Sequence, residues 1–401
     1  MEKANTLTTN KSQQNTVMLI LQCVGIIAVV FGHADIGNSD IPNPFNLIFP
    51  YYSWHMPLFI FISGYFFNRS MPTVAYSIKK VRSLLVPALC VNAVCGVFSF
   101  LIKHLSIANY GKDITFKSLF VTPFTTGYQF TIDVSLWFIF ALFVIEIFAC
   151  ILDRALKGKA DFVLLALSFV VSVFCVFYTF YNHEATRGEY LNALLRFGYL
   201  FFFFWLGTCY RKYFEKGLKR FLNYRLSAVI LVFQGVFLIF TKTTITFNTR
   251  DMNLSKITLE NGFWVPIIAP LTATLFLLGI AYSLAPYFKK SRLLALVGRN
   301  TKYIVYYHQL IFVLASFLLA VLQEKNIIPA IDGFSIARMQ KSAYYAGGNQ
   351  TVAFLVSIFA IFLPVLIFSK LKEKRWYVLA CCYLGMIFAV VLFLLLVSKT
   401  I

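Results

Sequence analysis

The sequence predicts an all-α fold: a polytopic membrane helix bundle of about 10–11 transmembrane helices with a cytoplasmic amino terminus. Of its 401 residues, 59% are hydrophobic and only 13% are charged, whereas a soluble domain carries about 25% charged residues. The apolar residues gather in eleven runs, most of them near the roughly 20 residues that cross a bilayer as a helix. Basic residues concentrate in alternate loops between these runs, which is typical of membrane proteins.

The predicted spans, in chain order, are 16–34, 52–67, 84–102, 134–152, 162–181, 190–209, 226–241, 263–285, 303–322, 351–369 and 376–397. The longest polar stretches between them are 103–133, 242–262 and 323–350. None is long enough to form a water-soluble domain. We therefore expect one integral-membrane domain over residues 1–401, with residues 1–15 as a polar cytoplasmic tail.

The distribution of basic residues predicts the topology. When the loops are taken alternately, 24 Lys and Arg residues fall on one side and 12 on the other. The richer side is cytoplasmic by the positive-inside rule, so the carboxyl terminus is predicted outside. Because this rule accounts for the formal net charge of +20, no nucleic-acid partner is expected.

The eight cysteines, from Cys23 to Cys382, all lie within predicted spans and have no metal-type spacing. We therefore expect neither a disulfide framework nor a metal site.

The first span carries two polar side chains eleven residues apart, Gln22 and His33. Eleven residues at 100° each bring a helix back almost to the same azimuth while it advances about 16 Å. The two side chains therefore share one face. An ionisable side chain within a membrane span is costly, and it usually has a function or a hydrogen-bond partner; for His33 both roles stay open.

His55 opens the second span beside Trp54, at a depth similar to that of His33. An aromatic anchor at the membrane interface is the structural alternative to a substrate-binding role.

Several motifs, in order and spacing, resemble the acyltransferase-3 family of bacterial membrane O-acyltransferases, which includes O-acetylases of polysaccharide, lipopolysaccharide and peptidoglycan. They are Val-Val-Phe-Gly-His33, His55-Met-Pro-Leu-Phe-Ile-Phe-Ile-Ser-Gly-Tyr, Lys-Lys-Val-Arg82-Ser-Leu-Leu-Val-Pro87, Leu136-Trp137-Phe-Ile-Phe-Ala-Leu-Phe and Val297-Gly-Arg-Asn300-Thr-Lys-Tyr-Ile-Val-Tyr-Tyr-His308.

The resemblance implies transfer of an acyl group, expected to be acetyl, from cytoplasmic acetyl-CoA or another acyl-CoA to a sugar hydroxyl. It also implies that His33 is the essential catalyst. The family pattern has an arginine ten intervening residues before this histidine, and this chain has Gln22 there instead. An amide donates hydrogen bonds but does not neutralise a phosphate.

Either another cation holds the donor, or the donor differs, or this member of the family is impaired. Lys79, Lys80 and Arg82 precede the third span at its cytoplasmic end and are the candidates for the CoA phosphates. Contact with anionic lipid headgroups is the alternative that stays open for them.

The remaining candidates fall into two groups. Asp35 and Asp133 lie near the outer ends of their spans, where either carboxylate is expected to orient His33 and hold its tautomer. An imidazole held in one tautomer can act as a general base. The alternative is that it forms a transient acyl-imidazole. The predicted substrate-binding residues are Gln22, His55, Trp137, Arg196 and His308. For Arg196, plain snorkelling to the interface also stays open, and for His308 a polar contact in helix packing stays open.

The expected partners are acyl-CoA, a glycan or lipid-linked saccharide acceptor, and the lipids of a bacterial cytoplasmic membrane; a homodimer is left open. The alternative function is transport of a glycan or lipid-linked sugar without acyl transfer, since membrane carriers also have many helices and few buried charges.

Overall fold

The structure is a computed structural model that describes residues 2–34, 49, 51–105, 108–127, 129, 130, 132, 134–182, 189–241, 265–331, 335, 337, 341 and 349–369. All regular elements in these residues are helices, and the same residues contain no β-strand. The predicted all-α fold is confirmed.

The α-helices are α1 (Glu2–His33), α2 (Tyr51–Tyr65), α3 (Thr73–Lys80), α4 (Val86–His104), α5 (Trp137–Ala155), α6 (Asp161–Tyr181), α7 (Glu189–Cys209), α8 (Glu215–Leu218), α9 (Tyr224–Thr241), α10 (Val265–Phe288), α11 (Arg292–Arg299), α12 (Thr301–Glu324) and α13 (Gln350–Ser369). Short π-helical turns lie at Val81–Leu85, Lys117–Val121 and Tyr210–Phe214.

Seven stretches of the described chain are long and apolar enough to cross a bilayer. They are Thr16–His33, Thr73–His104, Asp161–Tyr181, Glu189–Leu218, Pro266–Phe288, Thr301–Glu324 and Gln350–Ile367. Each overlaps a predicted span, although Thr73–His104 and Glu189–Leu218 extend well beyond the predicted 84–102 and 190–209.

Three further predicted spans are also helical, but they are weaker candidates for crossing a membrane because they are shorter or contain more charged residues. Helix α2 has only 15 residues, and α5 contains Glu146, Asp153 and Arg154. The apolar part of α9, Tyr224–Val236, is shorter than a full span. The predicted run at 376–397 lies outside the described residues, so the eleventh span and the side on which the chain ends stay predictions.

The helices group into two compact units. Unit 1 takes the described residues within Met1–Val29, Pro42–Ile78 and Val144–Thr301, and unit 2 those within Val30–Ile41, Lys79–Phe143 and Lys302–Ile401.

Unit 1 is built around α7, which packs against both α2 and α6. A Cβ atom at Gly64 would overlap the carbonyl oxygen of Phe204, and one at Gly207 would overlap that of Phe61. These glycines let the backbones of α2 and α7 approach each other directly, as small residues do in membrane helix pairs. The contact fixes α2, which carries His55.

Two buried carboxylates of unit 1 accept hydrogen bonds from neighbouring hydroxyl groups. Glu146 is 2% exposed, and it accepts hydrogen bonds from the hydroxyls of Ser63 and Tyr76. Glu215 likewise accepts hydrogen bonds from Tyr65 at 3.1 Å and Tyr282 at 2.9 Å. An unpaired carboxylate in this setting would cost several kcal/mol, so these bonds are part of the core.

Unit 2 contains α4, α12, α13, the start of α5 and the last turn of α1. The loop before α5 folds tightly onto Trp137, because Gly127 has a positive φ of 74° and a Cβ atom there would overlap the Trp137 side chain. Asn92 of α4 anchors the preceding segment by donating to the carbonyl of Leu119 at 3.0 Å. These contacts place the segment that leads into α5.

The chain enters α4 through the π-helical turn Val81–Leu85, in which Val86 N–H donates to the Val81 carbonyl. Pro87 follows directly. Proline has no N–H and its ring crowds the carbonyl four residues earlier, so the regular α-helical pattern does not run through this point. Arg82 lies in this turn.

We predict that Gly207→Ala lowers the stability of the protein, because the new methyl group meets the backbone of Phe61 and Tyr65 within 3 Å. Overpacking of this kind costs about 1–3 kcal/mol. The matched control is Gly235→Ala in α9, where an added Cβ has no neighbour within 4 Å among the described residues and the helix should gain slightly. Thermal unfolding in detergent measures both; equal melting temperatures for the two variants would contradict the close α2–α7 contact.

Candidate functional site

The first candidate site is a pair of histidines in unit 2. His33 is the last residue of α1 and is half-buried, while His308 lies in α12 and is fully buried. Their rings stand 5.2 Å apart, centroid to centroid, with an interplanar angle of 43°. Two residues separated by most of the chain thus form one imidazole pair.

Gln309 joins this pair to the segment before α5. Its Oε1 accepts a hydrogen bond from Val134 N–H at 2.6 Å and a longer one from Ser135 N–H at 3.2 Å. Its Nε2 lies 3.4 Å from Nδ1 of His33. The Ser135 hydroxyl adds a bond to the carbonyl of Val305 on the same helix, so the segment is held to α12 at two residues.

The hydrogen bonds of His308 are asymmetric. Its Nδ1 lies 2.8 Å from the carbonyl oxygen of Ile304 and 3.1 Å from that of Val305. Its Nε2 is buried, and it has no hydrogen-bond partner in the described residues. A buried polar atom without a partner costs about 1–3 kcal/mol, and this nitrogen is also part of the imidazole pair, so it is a candidate for contact with a substrate.

The second candidate site is a cavity in unit 1 of about 610 Å³, lined by residues 64–70 together with Thr208, Arg211 and Lys212. The π-helical turn Tyr210–Phe214 presents Arg211 and Lys212 to it. By the predicted topology the cavity lies at the cytoplasmic end of its helices.

The cations of this cavity differ in how far they are neutralised. Arg69 pairs with Asp153 and with Asp161, and Lys212 pairs with Asp161 at 2.6 Å. Arg211 instead donates to the neutral carbonyl of Tyr65 at 3.0 Å. Arg211 therefore keeps most of its charge for an anion.

Arg69 stays charged although it is partly buried. Burial lowers its pKa, but the hydrogen bonds to Asp161 and the charge of Asp153 outweigh this effect, so the pKa is raised above its ordinary value. The guanidinium also lies 5.7 Å from the ring centroid of Trp205. These contacts give Arg69 a structural part in the wall of the cavity.

The predicted residues are divided between the two units. His33 and His308 meet in unit 2. Gln22, His55 and Arg196 belong to unit 1. Asp35 and Asp133, the predicted partners of the imidazole, lie outside the described residues, so their roles stay predictions.

The other predicted residues have different degrees of burial. Arg196 is fully buried, so snorkelling does not explain it. His55 is 3% exposed and lies against Tyr52, and Trp137 is buried beneath Gly127.

The predicted donor-binding cations lie in unit 2 and do not line the described cavity. Lys79 and Arg82 are exposed and Lys80 is half-buried. Their exposure suits contact with a phosphate, and it suits contact with a lipid headgroup equally well.

Sequence reasoning missed Gln309 and Arg211. The sequence did contain a sign of Gln309: it is an amide residue inside an apolar helix, directly after the motif that ends at His308. Arg211 stood among six basic residues of one loop, 211–225, and nothing in the sequence separated it from the others.

The helices and the imidazole pair define a multi-pass membrane protein with a candidate active site. The sequence profile of the acyltransferase-3 family, which describes an acyltransferase domain, matches residues 19–369. The chain belongs to this family and is a membrane acyltransferase. The matched range includes all the predicted site residues. No curated protein and no solved structure matches the chain.

In the described residues, no group of three or more His, Cys, Asp or Glu side chains is arranged to hold a metal ion.

We predict that Asp161→Asn destabilises the protein. Asp161 is 2% exposed and accepts from Arg69, Lys212 and Tyr213, and removing one partner of a buried ion pair costs about 3 kcal/mol. The matched control is Asp113→Asn, because Asp113 also pairs with a lysine but is 49% exposed. Thermal unfolding should show a lower melting temperature for the first variant only; a similar drop in both would refute the buried network.

Proposed function

We propose that the protein is an O-acyltransferase that moves an acyl group, expected to be acetyl, from cytoplasmic acyl-CoA to a hydroxyl of a cell-envelope or exopolysaccharide sugar. It acts in the bacterial cytoplasmic membrane. The observation that carries this proposal is the His33–His308 pair within the matched acyltransferase region.

The chemistry of the pair suits such a transfer. A hydroxyl that attacks a thioester must lose its proton, and an imidazole accepts protons near neutral pH. The buried Nε2 of His308 has unused hydrogen-bonding capacity, and His33 lies beside it in a half-buried position. A substrate hydroxyl and carbonyl offer the complementary donor and acceptor.

The charges support an anionic donor that arrives from the cytoplasm. CoA carries phosphates, which basic side chains hold well. The predicted cytoplasmic loops contain 24 basic residues, and Arg211 in particular is bonded to a carbonyl rather than to a carboxylate. Lys79, Lys80 and Arg82 add exposed or half-exposed positive charge in unit 2.

The acceptor is proposed from the resemblance to polysaccharide-modifying enzymes. The long polar stretches 103–133, 242–262 and 323–350 are predicted to face outward, where a cell-envelope sugar is found. Transport of a glycan without acyl transfer is the weaker proposal, because the matched family is one of acyltransferases.

We predict that His33→Ala abolishes acyl transfer while the protein stays folded, since a general acid or base contributes a factor of about 10²–10⁴. Mass spectrometry of the surface glycan, in cells with and without the gene, identifies the acyl group and the acceptor together. Labelling from acetyl-CoA in membranes then compares the variants.

The matched control is His104→Ala, because His104 is 52% exposed and lies near Asp113, outside the imidazole pair. If His33→Ala kept near-normal transfer, the catalytic assignment would fail. Glycan uptake without acyl-CoA would instead support the transporter.

We predict that Arg211→Gln raises the KM for acyl-CoA about tenfold while changing kcat less, because one charge-assisted hydrogen bond is worth about 1.5 kcal/mol or more. Charges that hold a phosphate bind ground state and transition state alike. Steady-state kinetics at low and high salt measure this effect, since salt screens the charge.

Lys80→Ala with Arg82→Ala tests the sequence-predicted donor cations in the same assay. The control is Arg225→Gln, whose guanidinium bonds only to the neighbouring Tyr224 hydroxyl among its described contacts. If KM stays constant in all variants, these cations contribute to topology and lipid contact only.

A further inference from the structure

A neutral imidazole has one N–H donor and one lone-pair acceptor. The hydrogen bond made by one ring nitrogen determines what the other can do, because it selects the tautomer. The contact of Gln309 with His33 and those of the α12 backbone with His308 therefore indicate which nitrogen of each ring carries the proton.

The amide of Gln309 has one possible orientation. The atom 2.6 Å from Val134 N–H and 3.2 Å from Ser135 N–H must be the oxygen, because an NH2 group there would face two other donors. The NH2 group then points at Nδ1 of His33. Nδ1 accepts this bond, so the proton of neutral His33 is on Nε2.

The α12 backbone gives His308 the opposite tautomer. The neighbours of its Nδ1, the carbonyl oxygens of Ile304 and Val305, only accept hydrogen bonds. Nδ1 of His308 therefore carries the proton and donates. The lone pair of His308 is on Nε2, the buried atom without a partner in the described residues.

We propose that Gln309 is a positioning residue that divides the catalytic work between the histidines: His308 Nε2 is the proton acceptor, and His33 Nε2–H is a hydrogen-bond donor to the reacting carbonyl. This inference rests on the proposed acyl transfer from a thioester. It differs from the sequence-based expectation that His33 itself is the base.

The transfer then balances as follows. The acceptor hydroxyl oxygen forms a bond to the thioester carbonyl carbon, and its proton passes to His308 Nε2. The carbonyl oxygen, now negative, accepts the hydrogen bond from His33 Nε2–H. As the C–S bond breaks, the proton on His308 passes to the leaving thiolate, so the products are an ester and free thiol.

The same contacts disfavour an acyl-imidazole at His33. That intermediate needs a lone pair on the attacking nitrogen, but Nε2 of His33 carries the proton and Nδ1 faces the amide of Gln309. A carboxylate at position 309 would act in the opposite way, because it accepts from Nδ1–H and leaves a lone pair on Nε2.

The tautomers can be measured without an activity assay. Two-bond ¹H–¹⁵N correlation spectra of the full chain, labelled with ¹⁵N-histidine in lipid nanodiscs, show which ring nitrogen carries the proton. The variants His33→Gln and His308→Gln assign the two signals. We expect Nε2–H for His33 and Nδ1–H for His308; the reverse tautomer at either ring would overturn the proposal.

Gln309→Glu tests the positioning role. One carboxylate oxygen keeps the bonds to Val134 and Ser135 N–H, and the other accepts from His33. We expect the His33 signal to change to Nδ1–H while the His308 signal is unchanged, and transfer to fall by about 10²–10³ because one oxyanion donor is lost. An unchanged His33 tautomer would show that Gln309 does not set it.

Matched substitutions at the two histidines distinguish the hydrogen-bond donor from the proton acceptor. An amide side chain donates a hydrogen bond but does not act as a base at neutral pH. We expect His33→Gln to retain at least tenfold more transfer activity than His33→Ala, and His308→Gln to be no more active than His308→Ala. If the amide rescues position 308 and not position 33, the roles are reversed and the proposal is wrong.

Failure of the proposed function gives a different result from failure of this inference. If the wild-type protein transfers no acyl group from acetyl-CoA or longer acyl-CoA, the proposed function fails, and the tautomers are still read from the spectra. If transfer occurs but the tautomers or the rescue pattern disagree with the assignment, only this inference fails.

Discussion

A polar group inside an apolar helix bundle must find its hydrogen-bond partner within the protein, because hydrocarbon provides none. The described core follows this constraint closely. Glu146 is bonded to Ser63 and Tyr76, and the hydroxyl of Ser172 donates to the carbonyl of Tyr199 on the neighbouring helix. Each bond fixes one helix against another, so polar side chains determine how apolar helices pack.

This constraint separates structural from functional polar groups. Most buried polar atoms in the described core have partners, and they are explained by packing. Nε2 of His308 is one of several buried side-chain atoms that have none in the described residues, and it is distinguished from the others by its place beside His33. Because the other ring nitrogen donates to the backbone, Nε2 of this fixed ring is an acceptor, as expected of a preorganised site.

The basic residues of unit 1 also differ in the partners that they have. A cation paired with a buried carboxylate, such as Arg69 or Lys212, contributes to the fold of unit 1. A cation bonded to a neutral carbonyl, such as Arg211, keeps a positive charge that can still attract an anion. The positive-inside rule explains why all of them are on one predicted side, but only their partners show which of them can bind an anion.

The sequence alone determined the helices, because apolar runs of span length are local features and each helix satisfies its own backbone. It also indicated the family and picked out both histidines. Only the tertiary structure decided that His33 meets His308 and that Gln309 bonds to Val134, 175 residues away. Side-chain pairing between distant helices depends on how the bundle packs, and no local pattern records it.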